Sequence, residues 1–281
     1  MIKDQGYSTV AVCQALGVSR GAYYRASEPS PRSAPDFRES RDDELLQRIR
    51  ALCQEHPAWG YRRVTAWLQR REDRRVNRKR VYRLMRQHGL TVKQKTYAAQ
   101  RTPTRSKPQP DHPGQWWGLD MTQFLIPSLG WAYLVVVLDW YTRRIVGHTV
   151  GLQSKSGDWL EALNQALNRQ FPDGVREQGL HLMSDNGTQP TSVAFIKACA
   201  NLKIEQAFTS YNNPKGNANT ERVIRTLKED CLWINEWNNL DQAQREIENW
   251  IWNYNHLYPH SALGYLSPVE FEQQISTPKA A

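Results

Sequence analysis

The chain has 281 residues, of which 40% are hydrophobic and 23% are charged, and this balance excludes a wholly disordered protein and allows two or three domains. Its longest strongly apolar stretch, residues 131–138, is far shorter than the roughly 18 residues that a membrane-spanning helix needs. The N-terminus does not resemble a signal peptide. We therefore expect a folded cytoplasmic protein.

The charge is unevenly distributed along the chain. The formal net charge is +9, but residues 1–110 contain 24 Lys and Arg against 10 Asp and Glu, whereas residues 111–281 contain 13 against 18. Lys and Arg bind phosphates and displace counterions, so a basic front half joined to an acidic rear half is typical of a nucleic-acid enzyme. The alternative is that the arginines only solvate the faces of helices.

The four cysteines are scattered, and they are Cys13, Cys53, Cys199 and Cys231. No C-x-x-C pair occurs, and no histidine pair lies near two cysteines. A structural zinc site is therefore not expected, and we interpret the thiols as small hydrophobic side chains in a reducing compartment.

Two short helices are predicted at the N-terminus. Ser8 can cap a helix that ends before Gly17, and Ser19 can cap a second one. A glycine in the tight turn and the small residue Cys13 are typical of a helix-turn-helix, which we predict for residues 1–27. A helical hairpin without DNA contacts fits the pattern equally well.

A three-helix DNA-binding module is predicted over residues 42–92. Apolar residues at helical spacing begin at Leu45, Gly60 starts the turn into a second helix, and Asn77 caps a third that ends at Gly89. The third helix has a basic outer face, which indicates either DNA binding or mere solubility. The candidate DNA contacts in this module are Arg62, Arg63, Arg78, Lys79, Arg80 and Arg83.

An α/β core is predicted after a linker. Residues 93–114 are rich in proline and cations, which indicates an extended linker. Three strands and then alternating helices and strands follow, and this order predicts a ribonuclease-H-like mixed five-stranded sheet flanked by helices over residues 115–233. Residues 234–281 are predicted to form a C-terminal helical extension of this core.

Three carboxylates lie on different predicted elements of this core. Asp120 lies on the first strand, Asp185 follows a later strand, and Glu221 lies on a helix 35 residues beyond Asp185. The first strand is central in such a sheet and the neighbouring strand ends are adjacent, so we expect the three side chains to converge. Mg²⁺ prefers carboxylate oxygens, and we therefore predict two Mg²⁺ ions, with Mn²⁺ as a substitute, at a catalytic site for phosphoryl transfer.

Neighbouring residues receive other interpretations. Asp139 closes the second strand, but the turn that follows favours a hydrogen-bonding role over metal binding. His181 is interpreted as a strand residue and not as a base. Arg225 and Lys228 follow Glu221 at helical spacing, so we predict that they contact DNA phosphates from the same face of the helix.

The segment 210–217 is rich in Gly and Asn, which predicts a loop before the helix of Glu221. This loop could become ordered on DNA and bring Glu221 into place, and Lys215 within it is a further candidate DNA contact. A plain solvent loop fits the composition equally well.

Motifs along nearly the whole chain match one known pattern. They include Trp59-Gly-Tyr-Arg-Arg, Trp117-Gly-Leu-Asp, Ser184-Asp-Asn-Gly and Gly216-Asn-Ala-Asn-Thr-Glu, followed by 254–268 near the C-terminus. Through them the chain resembles the OrfB-type transposases of the IS-three family of insertion sequences, whose catalytic core is similar to retroviral integrase. The spacing matches the family's D,D(35)E pattern, although Tyr258 stands where the family usually has Arg and Lys215 where it has an aromatic residue.

The resemblance implies an activity and partners. It implies a transposase that frees 3′-hydroxyls at the ends of its own element and joins them to other DNA. It also implies binding to double-stranded DNA at the element ends and target, the product of an upstream reading frame as partner, a homo-oligomer on DNA, and a place at the bacterial nucleoid.

Two other functions remain open from the residues alone. One is a sequence-specific DNA-binding regulator with an idle core, which a cleavage assay separates from a transposase. The other is a ribonuclease-H-like nuclease that only hydrolyses, which an assay for joined strands separates.

Overall fold

A five-stranded sheet forms the centre of this computed structural model, which describes residues 8–21, 35–92, 108–209 and 216–276, with side chains from residue 42 onward in the second range. The strands are β1 (Trp116–Ile126), β2 (Gly130–Asp139), β3 (Ile145–Gly151), β4 (His181–Ser184) and β5 (Glu205–Phe208). The helices are α1 (Thr9–Ala15), α2 (Pro35–Glu55), α3 (Tyr61–Arg70), α4 (Arg78–Gln87), α5 (Ser156–Gln170), α6 (Val193–Asn201), α7 (Ala218–Leu227), α8 (Leu240–His256) and α9 (Pro268–Ser276). A π-helical turn, Lys228–Leu232, continues α7, and a short 3₁₀ helix, Ser261–Leu263, follows α8.

The sheet is mixed, with the strand order β3-β2-β1-β4-β5. β1 pairs with β2 and β2 with β3 in antiparallel fashion, whereas β4 runs parallel to β1 and β5 parallel to β4. The first strand is therefore central. This topology confirms the ribonuclease-H-like fold predicted from the order of the elements.

Both faces of the sheet are covered by helices. Along β2, Leu134, Val136 and Leu138 pack on one face, whereas Val135 and Val137 pack on the other, as the two-residue period of a strand requires. One hydrophobic cluster joins the second face to α5 and α6. The other cluster joins the first face to α7 and α8.

The front module contains the three expected helices, α2, α3 and α4. The Asn77 side chain accepts a hydrogen bond from Lys79 N at 2.8 Å and so caps α4, and Gly89 ends that region with a φ of 68° that favours glycine. Ile49, Val64 and other apolar residues of the three helices are buried together.

This module shares its hydrophobic core with the sheet. The cluster of the module continues into the residues on α7 and α8, and Trp59 packs edge-on against Tyr258 with ring centroids 5.6 Å apart. Arg71 donates to His256 O at 2.9 Å and pairs with Glu270 at 2.8 Å. The periodicity of the sequence contained no sign of this contact, because it joins residues almost two hundred positions apart.

Two predicted segments are described only in part. Ser8 caps α1 by accepting from Ala11 N at 3.3 Å, and Gly17 follows with a φ of 63°. The predicted second N-terminal helix lies largely outside the described residues, as do residues 93–107 of the predicted linker. In the described ranges no helix has the length and apolar character needed to cross a membrane.

Candidate active site

Asp120 and Asp185 stand at the same level of two neighbouring parallel strands. β1 and β4 pair Gly118 with Met183, and each aspartate lies two residues further along its chain. Asp185 directly follows β4, where its Oδ1 accepts a hydrogen bond from Gly187 N at 3.0 Å. The parallel register therefore sets Asp120 and Asp185 at the same level of the sheet.

Helix α7, which carries Glu221, lies directly against β1 at Gly118. A Cβ atom on Gly118 would be 1.9 Å from Thr220 Oγ1 and 2.8 Å from Asn217 Oδ1, so only glycine permits this approach. Glu221 is the next residue after Thr220 in the same helix. The close contact thus sets the height of Glu221 relative to β1.

Two hydrogen bonds hold α7 in this place. Trp140 Nε1 donates to Thr220 Oγ1 at 3.1 Å, and Asn217 Nδ2 donates to Leu119 O at 3.4 Å. Thr220 and Asn217 are both buried. Buried polar groups that find partners stabilise one arrangement over others, so the start of α7 has a defined position on the sheet.

Asp185 and Glu221 both act electrostatically on Asp120. Burial, together with the negative charges of Asp185 and Glu221, raises the pKa of Asp120 to about 6 against the opposing effects of the Met121 N–H and Lys228. The Met121 N–H donates to Asp120 Oδ1 at 2.8 Å. Both predicted partners of Asp120 therefore lie within its electrostatic neighbourhood.

The chemistry of these side chains fits a hard divalent cation. Carboxylate oxygens are the ligands that Mg²⁺ and Mn²⁺ prefer, and a cation would relieve the repulsion that opposes ionisation of Asp120. Among the described residues, no three His, Cys, Asp or Glu side chains are close enough to form a complete ligand cluster. Asp185 and Glu221 thus lie within electrostatic range of Asp120, but the three side chains do not form a complete metal-ligand cluster in this structure.

Asp139 is buried and engaged in the turn after β2, the role predicted for it. Its Oδ1 accepts from Tyr141 N, Thr142 N and Thr142 Oγ1, and its Oδ2 accepts from Gly114 N and Trp117 Nε1, at distances from 2.7 to 3.1 Å. Both carboxylate oxygens of Asp139 are therefore engaged in hydrogen bonds with protein groups.

His181 lies on β4, as predicted. Its ring stacks on Trp116 with centroids 4.5 Å apart, and its Nδ1 lies 3.1 Å from Glu205 Oε2.

The basic residues of α4 fall into two groups. Arg78 and Lys79 are exposed, whereas Arg80 and Arg83 both pair with Asp42 of α2, at 2.7 and 2.6 Å. Burial acts to raise the pKa of Asp42, but the hydrogen bonds and charges of the two arginines outweigh it and lower the pKa. Two of the four candidate DNA contacts on this helix thus already have an anionic partner.

The other candidate DNA contacts have varied surroundings. Arg62 is exposed, whereas Arg63 lies over the ring of Tyr258 with its Cζ 4.9 Å from the centroid. Arg225 pairs with Glu229 at 2.8 Å, and Lys228 is close enough to lower the pKa of Asp120. Lys215 lies outside the described residues.

Two further arginines face a groove between the module and the core. Arg86 ends α4 and Arg222 lies on α7, and neither was among the DNA contacts predicted from the sequence. They are far apart in the chain, so no local pattern could have paired them.

Family models match most of the chain. An HTH-like domain matches residues 40–96, and two integrase core domain models match residues 110–214 and 202–268. The fold is similar to that of a simian T-cell lymphotropic virus intasome, with a TM-score of 0.51 and 18% identity over 77% of this chain and 76% of that one.

Two curated relatives come from bacterial insertion elements. A protein of insertion element IS407 from Burkholderia multivorans is 30% identical over 266 residues, which cover 92% of this chain and 88% of the relative. Transposase InsD of insertion element IS2 from Escherichia coli is 28% identical over 249 residues, which cover 85% of this chain and 82% of the relative.

The family models and the relatives define a polynucleotidyl transferase with an integrase core and an HTH-like domain. The chain belongs to the insertion-element transposases, and it is a DNA transposase of the OrfB type of the IS-three family. Integrase core domains typically depend on a divalent metal ion. An idle regulator or a purely hydrolytic nuclease is not favoured.

Proposed function

We propose that Asp120, Asp185 and Glu221 are the catalytic carboxylates of this transposase and that they hold two Mg²⁺ ions, or Mn²⁺ in their place. The observation that carries the proposal is geometric: the pairing of β1 with β4 sets Asp120 and Asp185 at one level of the sheet, and the helix of Glu221 lies against β1 at Gly118. When bound, the ions would supply Lewis-acid activation of the attacking oxygen and stabilise the leaving 3′ oxygen in an in-line phosphoryl transfer.

The residues around the carboxylates have supporting roles. Gly187 N holds one oxygen of Asp185, and the contact of Thr220 with Gly118 holds the helix of Glu221 on the sheet. Lys228 adds positive charge beside Asp120, where a phosphodiester would lie. The attacking group is water in strand cleavage and the freed DNA 3′-hydroxyl in joining, so no covalent bond to the protein is needed.

The helical module would hold the duplex at the element ends. Residues 42–92 are the proposed DNA-reading module, with Arg78, Lys79 and Arg62 available to phosphates and Arg80 and Arg83 available only by exchange of their pair with Asp42. Arg225 would contact phosphates beside the active site by exchange of its pair with Glu229. The core is residues 115–233 with the extension 234–281.

The relatives support a wider assembly. Because they are insertion-element proteins, we propose that the chain acts at the bacterial nucleoid as a homo-oligomer on two element ends and a target. We further propose that the product of an upstream reading frame contributes end recognition.

A strand-transfer assay tests the catalytic assignment. The full chain, with the upstream partner, is incubated with a labelled duplex carrying an element end and with Mg²⁺ or Mn²⁺. We expect cleaved and joined strands with the unchanged chain, and Asp185→Asn should lose both products by orders of magnitude while still shifting the duplex in a gel. Asp173→Asn, an exposed aspartate away from the site, is the matched control.

Each outcome separates one assignment from its rivals. Full activity of Asp185→Asn would refute the ligand assignment. Cleaved strands without joined ones would indicate a hydrolase, and a bound but uncleaved duplex with the unchanged chain would indicate a regulator.

A further inference from the structure

An open groove of about 700 Å³ lies between the helical module and the catalytic core. α3 and α4 form one wall, and α7 with the segment 261–265 forms the other. Among its described lining residues there is no acidic side chain, and four are arginines, which are Arg62, Arg63, Arg86 and Arg222. The groove is therefore a concentrated site of positive charge.

Many arginines of the module already have a carboxylate partner, whereas those of the groove have none in the described part of the chain. Five arginines elsewhere in the module pair with a carboxylate at 2.6 to 3.0 Å, and these are Arg48, Arg71, Arg74, Arg80 and Arg83. By contrast, Arg62, Arg86 and Arg222 have no ion pair with any described residue. Guanidinium groups gathered around a concave surface without counter-charges favour an anion such as phosphate.

Aromatic rings are interleaved with these arginines. Tyr61 and Tyr82 lie in the groove with their ring centroids 4.8 Å apart and their planes inclined by 55°, and Tyr82 is 41% exposed. Arg62 Nε donates to the Tyr61 hydroxyl at 3.2 Å, which holds both side chains in place. An exposed ring beside a cation can receive a nucleic-acid base by stacking.

A third tyrosine is held in a costly backbone conformation. Tyr265 has a φ of 64°, in the left-handed region that favours glycine, and its N donates to His260 O at 2.7 Å. Such strain is concentrated at binding and catalytic sites. The strained turn places Tyr265 on the wall opposite Tyr82.

One wall of the groove belongs to the helix that carries Glu221. Arg222 follows Glu221 directly on α7, so a strand lying on Arg222 contacts the same helix as the proposed active site. Bases in a duplex are stacked inside it and cannot contact tyrosine rings, whereas the bases of a single strand can.

We propose that this groove binds a short unpaired stretch of single-stranded DNA at the terminus being processed, with Arg86 and Arg222 on its phosphates and Tyr82 stacked on a base. The role rests on the proposed function, because an unpaired terminus held here keeps the two strands apart next to Glu221. The phosphodiester to be cut is then exposed to attack.

Binding of two short single strands tests the role of the rings. The full chain is titrated into fluorescein-labelled oligothymidylate, and separately into an abasic strand of the same length, in buffer with EDTA, and anisotropy is measured. We expect the strand with bases to bind about tenfold more tightly. Tyr82→Ala should remove this preference, and Tyr82→Phe, which keeps the ring, should retain it.

The arginines are tested by the salt dependence of the same binding. Arg86→Ala and Arg222→Ala should weaken the binding of both strands and each lower the slope of log affinity against log salt by about 0.7. Arg245→Ala is the matched control, because it removes an exposed arginine of α8 outside the groove. A smaller change is expected for it.

Several results would overturn the groove assignment. They are equal affinity for the two strands, a base preference that survives Tyr82→Ala, or equal effects of Arg245→Ala and the groove variants. Asp185→Asn separates this inference from the catalytic one, since it should bind the single strand normally and yet not cleave. If Asp185→Asn cleaved normally and the single strands bound as expected, only the assignment of the catalytic carboxylates would be refuted, and the groove assignment would stand.

Discussion

Gly118 of β1 and Thr220 of α7 are in such close contact that no side chain fits between the sheet and the helix that carries Glu221. A Cβ on residue 118 would lie 1.9 Å from Thr220 Oγ1 and 2.4 Å from Trp140 Nε1, the two atoms that share a hydrogen bond. A substitution here must push α7 away from the strand.

Gly118→Ala should therefore impair catalysis without touching a carboxylate. We expect a loss of stability of about 1–3 kcal/mol from overpacking and a much larger loss of strand cleavage than of duplex binding. Cleavage is measured below the melting transition, and binding by gel shift. Gly157→Ala in the first turn of α5, where a Cβ meets open space, should be neutral or slightly stabilising. Unchanged cleavage by Gly118→Ala would mean that this contact does not position Glu221.

Asp139→Asn should act on stability and not on chemistry. The amide nitrogen of Asn would face N–H donors that now bond a carboxylate oxygen, so we expect a loss of about 2–3 kcal/mol in urea unfolding. Cleavage per folded molecule, measured at low temperature, should be close to normal. A metal ligand would give the opposite result, with lost activity and little change in stability.

Asp42→Asn should strengthen DNA binding. Asp42 neutralises Arg80 and Arg83, and its removal makes two cations available to phosphates, so affinity and its salt dependence should both rise. The cost in stability should be at most about 1 kcal/mol, because the pairs are partly exposed. Asp43→Asn removes the same formal charge from an exposed neighbour without an ion pair to a described residue. An equal gain of affinity in Asp43→Asn would show an effect of net charge alone.

Asp230 should make stability depend on pH. Burial, with a smaller contribution from Glu229, raises its pKa to about 6 against the opposing effect of Arg63. In the described structure neither carboxylate oxygen has a hydrogen-bond partner. Tyr258 and Cys231 also lie within its electrostatic reach. Because the folded pKa is above the ordinary 3.8, the folded chain takes up the proton first, so this residue adds stability as pH falls through about 6.

The corresponding variant is Asp230→Asn, which lacks this titration. When the pH is lowered from about 7 to about 5, the free energy of unfolding of the unchanged chain, measured with urea, should rise by about 1.4 kcal/mol relative to that of the variant. The variant should be the more stable of the two at the higher pH. An equal difference between the two proteins at both pH values would contradict the assignment.

Local patterns were sufficient for the main elements of the core and of the helical module, and they are also the basis of the proposed carboxylates. The apolar alternation of β2, the cap at Asn77 and the turn after Asp185 each depend on neighbouring residues, and each is where the pattern predicted it. The parallel pairing of β1 with β4, which follows from the order of the elements in this fold, sets Asp120 and Asp185 at one level of the sheet.

Contacts between distant residues could not be predicted in this way. Arg80 and Arg83 look like an outward basic face from helical spacing alone, and only the packing of α2 on α4 shows that Asp42 lies opposite them. Arg222 is far in sequence from Arg86, so the groove that they share exists only once the module is docked on the core.

The shared hydrophobic cluster, with Trp59 against Tyr258, has a mechanical consequence. If the DNA-binding module were joined to the catalytic core only by a flexible linker, the core could cut at variable distances from the bound bases. Here the helical module and the catalytic core share one hydrophobic cluster, so the protein itself sets the distance between the DNA that the module binds and the bond that the core breaks.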